Sequence, residues 1–168
     1  MPAELAVLVY DERQRQRFRD GDLIRDWHAR YTILFDERDF SIAVNQAHLG
    51  YHFFEWLAAV TLYECMGLLS LVEQYEFEIH KRKQEVLTKL VPQETLALIR
   101  EHKVEFGSVQ CPDLLVYSRD YSDWFFCEVK GPADAVSESQ KGFFDELERT
   151  SSRLVRVIRF HRFTEQVL

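Results

Sequence analysis

Three charged residues, Asp113, Glu128 and Lys130, stand at the ends of two apolar runs in PDLLVYSRDYSDWFFCEVKGP, Pro112 to Pro132. In an extended WFFCEVK, side chains alternate between faces, so Glu128 and Lys130 share one face, about 7 Å apart, while Val129 points into the core. Folding the two runs back on each other across Ser118 to Asp123 brings Asp113 beside Glu128. Adjacent carboxylates repel unless a cation lies between them, and Mg²⁺, which prefers oxygen ligands, suits that position. An ion so held polarises a phosphoryl oxygen and lowers the pKa of a bound water, while a nearby ammonium orients that water or stabilises the developing charge. The reaction such a set supports is hydrolysis of a phosphodiester.

Pro112-Asp113 followed by Glu128-Val129-Lys130 resembles the PD-(D/E)xK nuclease superfamily. The longer segments CPDLLVY and WFFCEVKGPADAVSESQ resemble its VRR-Nuc branch, with Gly131, Pro132, Asp134, Ser137 and Gln140 in the branch's order after the lysine. The resemblance runs from about Gly50 to Phe160. It implies an α/β (α+β) fold with a restriction-endonuclease-like core, a mixed central sheet flanked by helices and a helical N-terminal half. It also implies a DNA endonuclease dependent on Mg²⁺ or Mn²⁺. Asp113 and Glu128 match the metal-binding carboxylates, the carbonyl of Val129 an additional ligand, Lys130 the catalytic lysine and Gln140 a supporting helix glutamine.

The branch further implies a glutamate from the first core helix, with Glu55, Glu64 and Glu73 open. Glu55 is preferred because it lies within apolar FFEWLAAV, where an unpaired carboxylate would be costly. Glu73 is accounted for as the partner of Ser70 in a capping box. The approach to the motif, FGSVQCPD, departs from the branch in having one glycine and no arginine. Small members of the branch imply a homodimer acting on branched DNA such as Holliday junctions. A flap or single-strand nuclease in a phage or defence setting stands beside that reading, as does a non-catalytic binding subunit that keeps the nuclease fold.

The elements that must position these residues follow from hydrophobic spacing. Val109 to Tyr117 and Trp124 to Lys130 read as strands of a hairpin, Ser137 and Gln140 as a capping box opening a helix to about Arg149, and LVRVIRF as a last strand. Upstream, Ala47 to Met66 reads as one buried helix ended by Gly67, Ser70 to about Leu90 as a second, and Pro92 to about His102 as a third. YTILF, DERD, FSIAV reads as strand, turn, strand, and DERQRQRFRDGD as a charged helical or loose segment. Residues 1–46 form an extension of unassigned role and 47–168 the nuclease-like core of a single domain.

Composition bounds the partners. The 168 residues carry 46% hydrophobic and 14% aromatic residues, enough for a full core and against a disordered chain. No apolar run nears the roughly 18 residues of a membrane span, and the start has no leader-like signal, so a cytoplasmic protein meeting nucleoid or host-cell DNA is expected. Cys65, Cys111 and Cys127 lack metal or disulfide spacing and read as small buried apolar residues. A net charge of -7 opposes binding to nucleic acid, yet Arg149, Arg153, Arg156, Arg159 and Arg162 come with no acid among them. The first four are the candidate DNA contacts. His48 and His52 are four apart, the spacing of a zinc pair on a helix, although no HExxH accompanies them.

Overall fold

The computed structural model describes residues 2–72, 80–106 and 111–164, side chains at 37–39 and 106 excepted. The chain opens on strand β1 (Ala3–Tyr10), then helices α1 (Glu12–Arg19) and α2 (Asp22–Arg30), a 3-10 turn (Thr32–Leu34), α3 (Glu37–His48) and α4 (Phe53–Met66). There follow β2 (Leu69–Val72), α5 (Lys81–Leu90), α6 (Gln93–Phe106), β3 (Leu114–Tyr117), β4 (Trp124–Lys130), α7 (Glu138–Ser151) and β5 (Val155–Arg162). The five strands make one mixed sheet in the order β1-β5-β4-β3-β2. β1, β5 and β4 run parallel, while β3 is antiparallel to β4 and to β2. This is the expected α+β arrangement of a mixed sheet flanked by helices, and no described helix is long and apolar enough to cross a membrane.

Alternation assigns the two faces. Glu128 pairs with Val157 and Lys130 with Arg159, so odd positions of β5 share the face of Glu128 and Lys130, and Phe160 lies on the other. Phe54 of α4 packs on Phe160 with ring centroids 5.2 Å apart, which seats α4 on that other face. α7 covers the first, where Gln140 reaches Glu128. The strand directions also collect the carboxyl ends of β1, β5 and β4 and the amino end of β3 at one end of the sheet, the place where open sheets containing parallel strands usually bind ligands.

Three expectations for the first half are corrected, and one element is added. YTILF-DERD-FSIAV is a 3-10 turn and a helix: Phe40, Ala43, Val44 and Ala47 all face the core at helical spacing, a period hidden among β-branched and aromatic residues. The helix expected from Ala47 starts at Phe53, because Gly50 (φ 81°) and His52 (φ 68°) take left-handed conformations that end α3 and turn the chain. Its end at Gly67, also left-handed, is as expected. Ser70 opens no helix: it is fully buried in β2, paired with Val116, and Glu73 lies outside the described residues. Lastly, the opening apolar residues form the edge strand β1, so the helical N-terminal half also contributes to the sheet.

Candidate active site

The β3–β4 hairpin pairs Leu114 with Cys127 and Tyr117 with Trp124 across the six-residue turn, which sets Asp113 opposite Glu128. Asp113 Oδ2 accepts a 2.7 Å hydrogen bond from the Val129 amide. Glu128 is 2% exposed. Its Oε1 receives Lys130 Nζ at 2.6 Å and Gln140 Nε2 at 2.9 Å. Its Oε2, also buried, has no hydrogen-bond partner among the described residues. Burial, then the negative charges of Glu128 and Glu55, hold the Asp113 carboxyl well above the usual carboxylate range, against the opposing pull of the Val129 amide and Lys130.

Gln140 both closes the cap of α7 and reaches Glu128. It is the third residue of α7, and its Oε1 accepts from the Ser137 amide while Ser137 Oγ accepts from its own amide, closing a capping box. The other end of the same amide holds Glu128, and Lys130 Nζ also approaches Oε1 at 3.4 Å. A strong start to α7 therefore fixes the rotamer of the buried carboxylate.

Glu55 lies in the first turn of α4, where the helix dipole favours an acid, and pairs with His52 Nδ1 at 3.4 Å. Its side chain is 20% exposed, so its burial is less costly than the apolar sequence around it suggests. Its charge still acts on Asp113, which sets it near the pair. Glu64 instead accepts from the Tyr31 hydroxyl at the exposed far end of α4. Among the described residues no three His, Cys, Asp or Glu side chains gather tightly enough to form a ready metal cage. The donor set nonetheless fits a hard divalent cation: two facing carboxylates, one with a buried oxygen that has no hydrogen-bond partner among the described residues, the other with its proton affinity raised by burial and by its neighbours' charge. His48 and His52 fall on either side of the Gly50 turn, with His48 Nδ1 2.8 Å from the Arg19 carbonyl, so they do not share a helix face.

The C-terminal arginines do not form one patch. Arg149 pairs with Glu94 at 3.5 Å, and Arg153 with Asp123 at 2.6 Å. Arg156 lies on the sheet face opposite Glu128. Arg159 lies on the Glu128 face beside Lys130, paired with Glu4 at 3.4 Å and with the Asp134 carbonyl at 3.2 Å. Of the cysteines only Cys127 is fully buried, where burial pushes its thiol up; Cys65 is exposed. One residue that spacing alone did not single out is Gly131: a Cβ there would stand 2.9 Å from Phe54 Cε2, so glycine lets the strand pass close under α4 just after Lys130.

Comparison with known proteins finds no match among curated chains. The solved structures include a crystal structure of paFAN1 bound to 2-nt 5′-flap DNA with a gap, 16% identical, with a TM-score of 0.42. That alignment covers 89% of this chain but 26% of the paFAN1 chain, so this protein spans about a quarter of that chain's length. The VRR-NUC domain family model matches residues 61–159, a segment that contains Asp113, Glu128, Lys130 and Gln140 and begins beyond Glu55. The match runs over more than half the length of the chain, which belongs to the VRR-NUC domain family.

Proposed function

We propose that the protein is a divalent-metal-dependent endonuclease that hydrolyses phosphodiester bonds of DNA. The observation that carries this reading is the buried Glu128 carboxylate opposite Asp113, with one oxygen bonded to Lys130 and the other without a hydrogen-bond partner among the described residues. Asp113 and Glu128 would hold Mg²⁺ or Mn²⁺, with the Val129 carbonyl and Glu55 completing the set. When bound, the ion supplies Lewis-acid activation of phosphate and of water. Lys130 Nζ, steadied by Glu128 and Gln140, orients the attacking water and stabilises the charge that develops on the phosphoryl oxygens. Arg159, on the same face, is the member of the C-terminal run best situated to contact the phosphates flanking the cut. Branched DNA, with a homodimer presenting two such sites, is the substrate class we favour by analogy with the family.

The test is cleavage of a four-way junction, a flap, linear duplex and single-stranded DNA in Mg²⁺ and in Mn²⁺. Lys130→Ala and Asp113→Asn should each lower cleavage of the preferred substrate by at least about 100-fold. Either variant cleaving as well as wild type would sink the assignment. A preference for the flap or the single strand would replace the junction reading and leave the chemistry intact.

A further inference from the structure

We propose that α1, in the N-terminal extension outside the family match, is the element that grips the nucleic-acid backbone, through Arg15 and Arg19. The proposal deepens the nuclease reading by naming where the substrate's phosphates are held.

β1 runs parallel to β5 and β4, so its carboxyl end delivers α1 to the same end of the sheet as Lys130. Asp11 caps α1 there through a complete capping box, fixing where the helix begins. Arg15 and Arg19 are one turn apart and so lie on one face. The Arg15 guanidinium carbon sits 5.5 Å from the centre of the Phe54 ring, and Phe54 is the residue packed against Gly131, next to Lys130. Arg19 Nε would stand 3.2 Å from a Cβ on Gly50, in the turn that leads to His52 and Glu55, and the Arg19 carbonyl lies 2.8 Å from His48 Nδ1. Both guanidiniums therefore border the elements that carry the catalytic groups.

Their electrostatic state, shared among the described residues with Arg13, Arg25, Arg119 and Arg156, separates them from the arginines bound to acids. Among the described residues neither has a carboxylate partner, and Arg15 Nε is buried with no hydrogen-bond partner. By contrast Arg149, Arg153, Arg159 and Arg162 are each paired with an acid, Arg162 with Glu12, the one acid of α1, at 3.7 Å. An acidic chain thus keeps uncommitted guanidiniums at its catalytic end. Guanidinium presents a planar fork of donors that matches the paired oxygens of a phosphodiester, and on a rigid helix it loses little freedom on binding.

The experiment is fluorescence anisotropy of labelled junction, flap, duplex and single-stranded DNA with the full chain in EDTA, at salt between about 50 and 200 mM, where phosphate contacts are most visible. Arg15→Gln/Arg19→Gln should bind the preferred DNA at least about tenfold more weakly at the low end, with a salt slope shallower by roughly 1.8 for two lost phosphate contacts. Arg149→Gln/Arg153→Gln should move either quantity by less than about twofold, as expected of exposed paired arginines. Arg15→Lys/Arg19→Lys should restore the slope, which a folding defect would not allow. Wild-type affinity and slope in the folded glutamine variant overturn the proposal, as does a folded lysine variant that binds as poorly as the glutamine one. Wild type binding no DNA in the panel overturns it too. Binding that depends on both arginines without cleavage in any metal would uphold the grip and sink the nuclease reading.

Discussion

Asp113 shows most directly what the site costs the fold. Its carboxyl is buried against Glu128 and feels Glu55, and its proton affinity is raised well above the ordinary value of 3.8. For an acid whose folded pKa exceeds its unfolded one, the folded state binds the extra proton, so stability is greatest below the unfolded value and falls as pH rises through the folded one. The metal-free protein should therefore lose stability as pH climbs from the ordinary carboxylate range toward neutrality. Asp113→Asn keeps an oxygen to accept from the Val129 amide but removes the charge. It should melt at a higher temperature than wild type at pH 7 without metal and show no loss across that window. Thermal unfolding over a pH series in EDTA measures this; a lower melting temperature for Asp113→Asn at neutral pH would mean that repulsion at the site is not costly. Lys130 behaves in the opposite way. Its removal strands a buried Glu128, and Lys130→Ala should cost about 3 kcal/mol alongside its loss of activity, which makes Asp113→Asn the cleaner probe of chemistry.

Among the elements, α7 couples stability to the site through one side chain. Ser137→Ala removes the oxygen that accepts from the Gln140 amide and should cost about 1 kcal/mol, while leaving the Gln140 side chain to hold Glu128. Gln140→Ala removes the cap's return bond and the Glu128 contact together. It should therefore lower stability by a similar amount and also reduce kcat, whereas Ser137→Ala should leave kcat near wild type; equal kcat losses in both would show that the helix start alone matters. This arrangement was legible because S-x-x-Q and the alternating WFFCEVK carry their own periods within a few residues. The same pattern misled at Ser70, which lies inside the strand LSLV rather than ahead of a helix. Ser70 is sealed in β2 against Val116, and four residues of LSLV, buried throughout, carry no alternation from which to tell strand from helix. Glu55 could be found from composition, since an acid inside FFEWLAAV asks for a reason. That it opens α4 and meets His52 depended on the Gly50 and His52 turn, which helical spacing alone did not show.

At the scale of the whole molecule, the extension of residues 1–46 is structurally continuous with the segment that carries the motif. β1 is the outer partner of β5 over most of its length, with an irregularity between Glu4 and Ala6. Phe18 packs edge-on to Phe53 at 5.4 Å and Phe35 stacks on Trp56 at 4.4 Å, so the extension's rings complete the core beneath α4. None of this is readable from local pattern, because each contact joins residues that are distant in sequence and the strand pairs with the chain's last strand. Tyr10, Phe18, Leu23, Ile24, Trp27, Leu34 and Phe35 are all buried there. At about 1.5–3 kcal/mol for each large side chain, their burial contributes roughly 10–20 kcal/mol, comparable to or greater than the whole net stability of a typical domain. Residues 47–168 alone, although they hold the entire family match, should consequently fail to fold: β5 would present a bare edge and α4 a stripped apolar face. Near-UV circular dichroism and amide hydrogen exchange of that fragment should show no fixed aromatic packing and no protected strands. A cooperatively melting, well-protected fragment would mean that the extension is an accessory to the nuclease core. Its unfolding would instead make the element bearing Arg15 and Arg19 part of the same cooperative unit as Glu128 and Lys130, so that substrate grip and catalysis are set by one core.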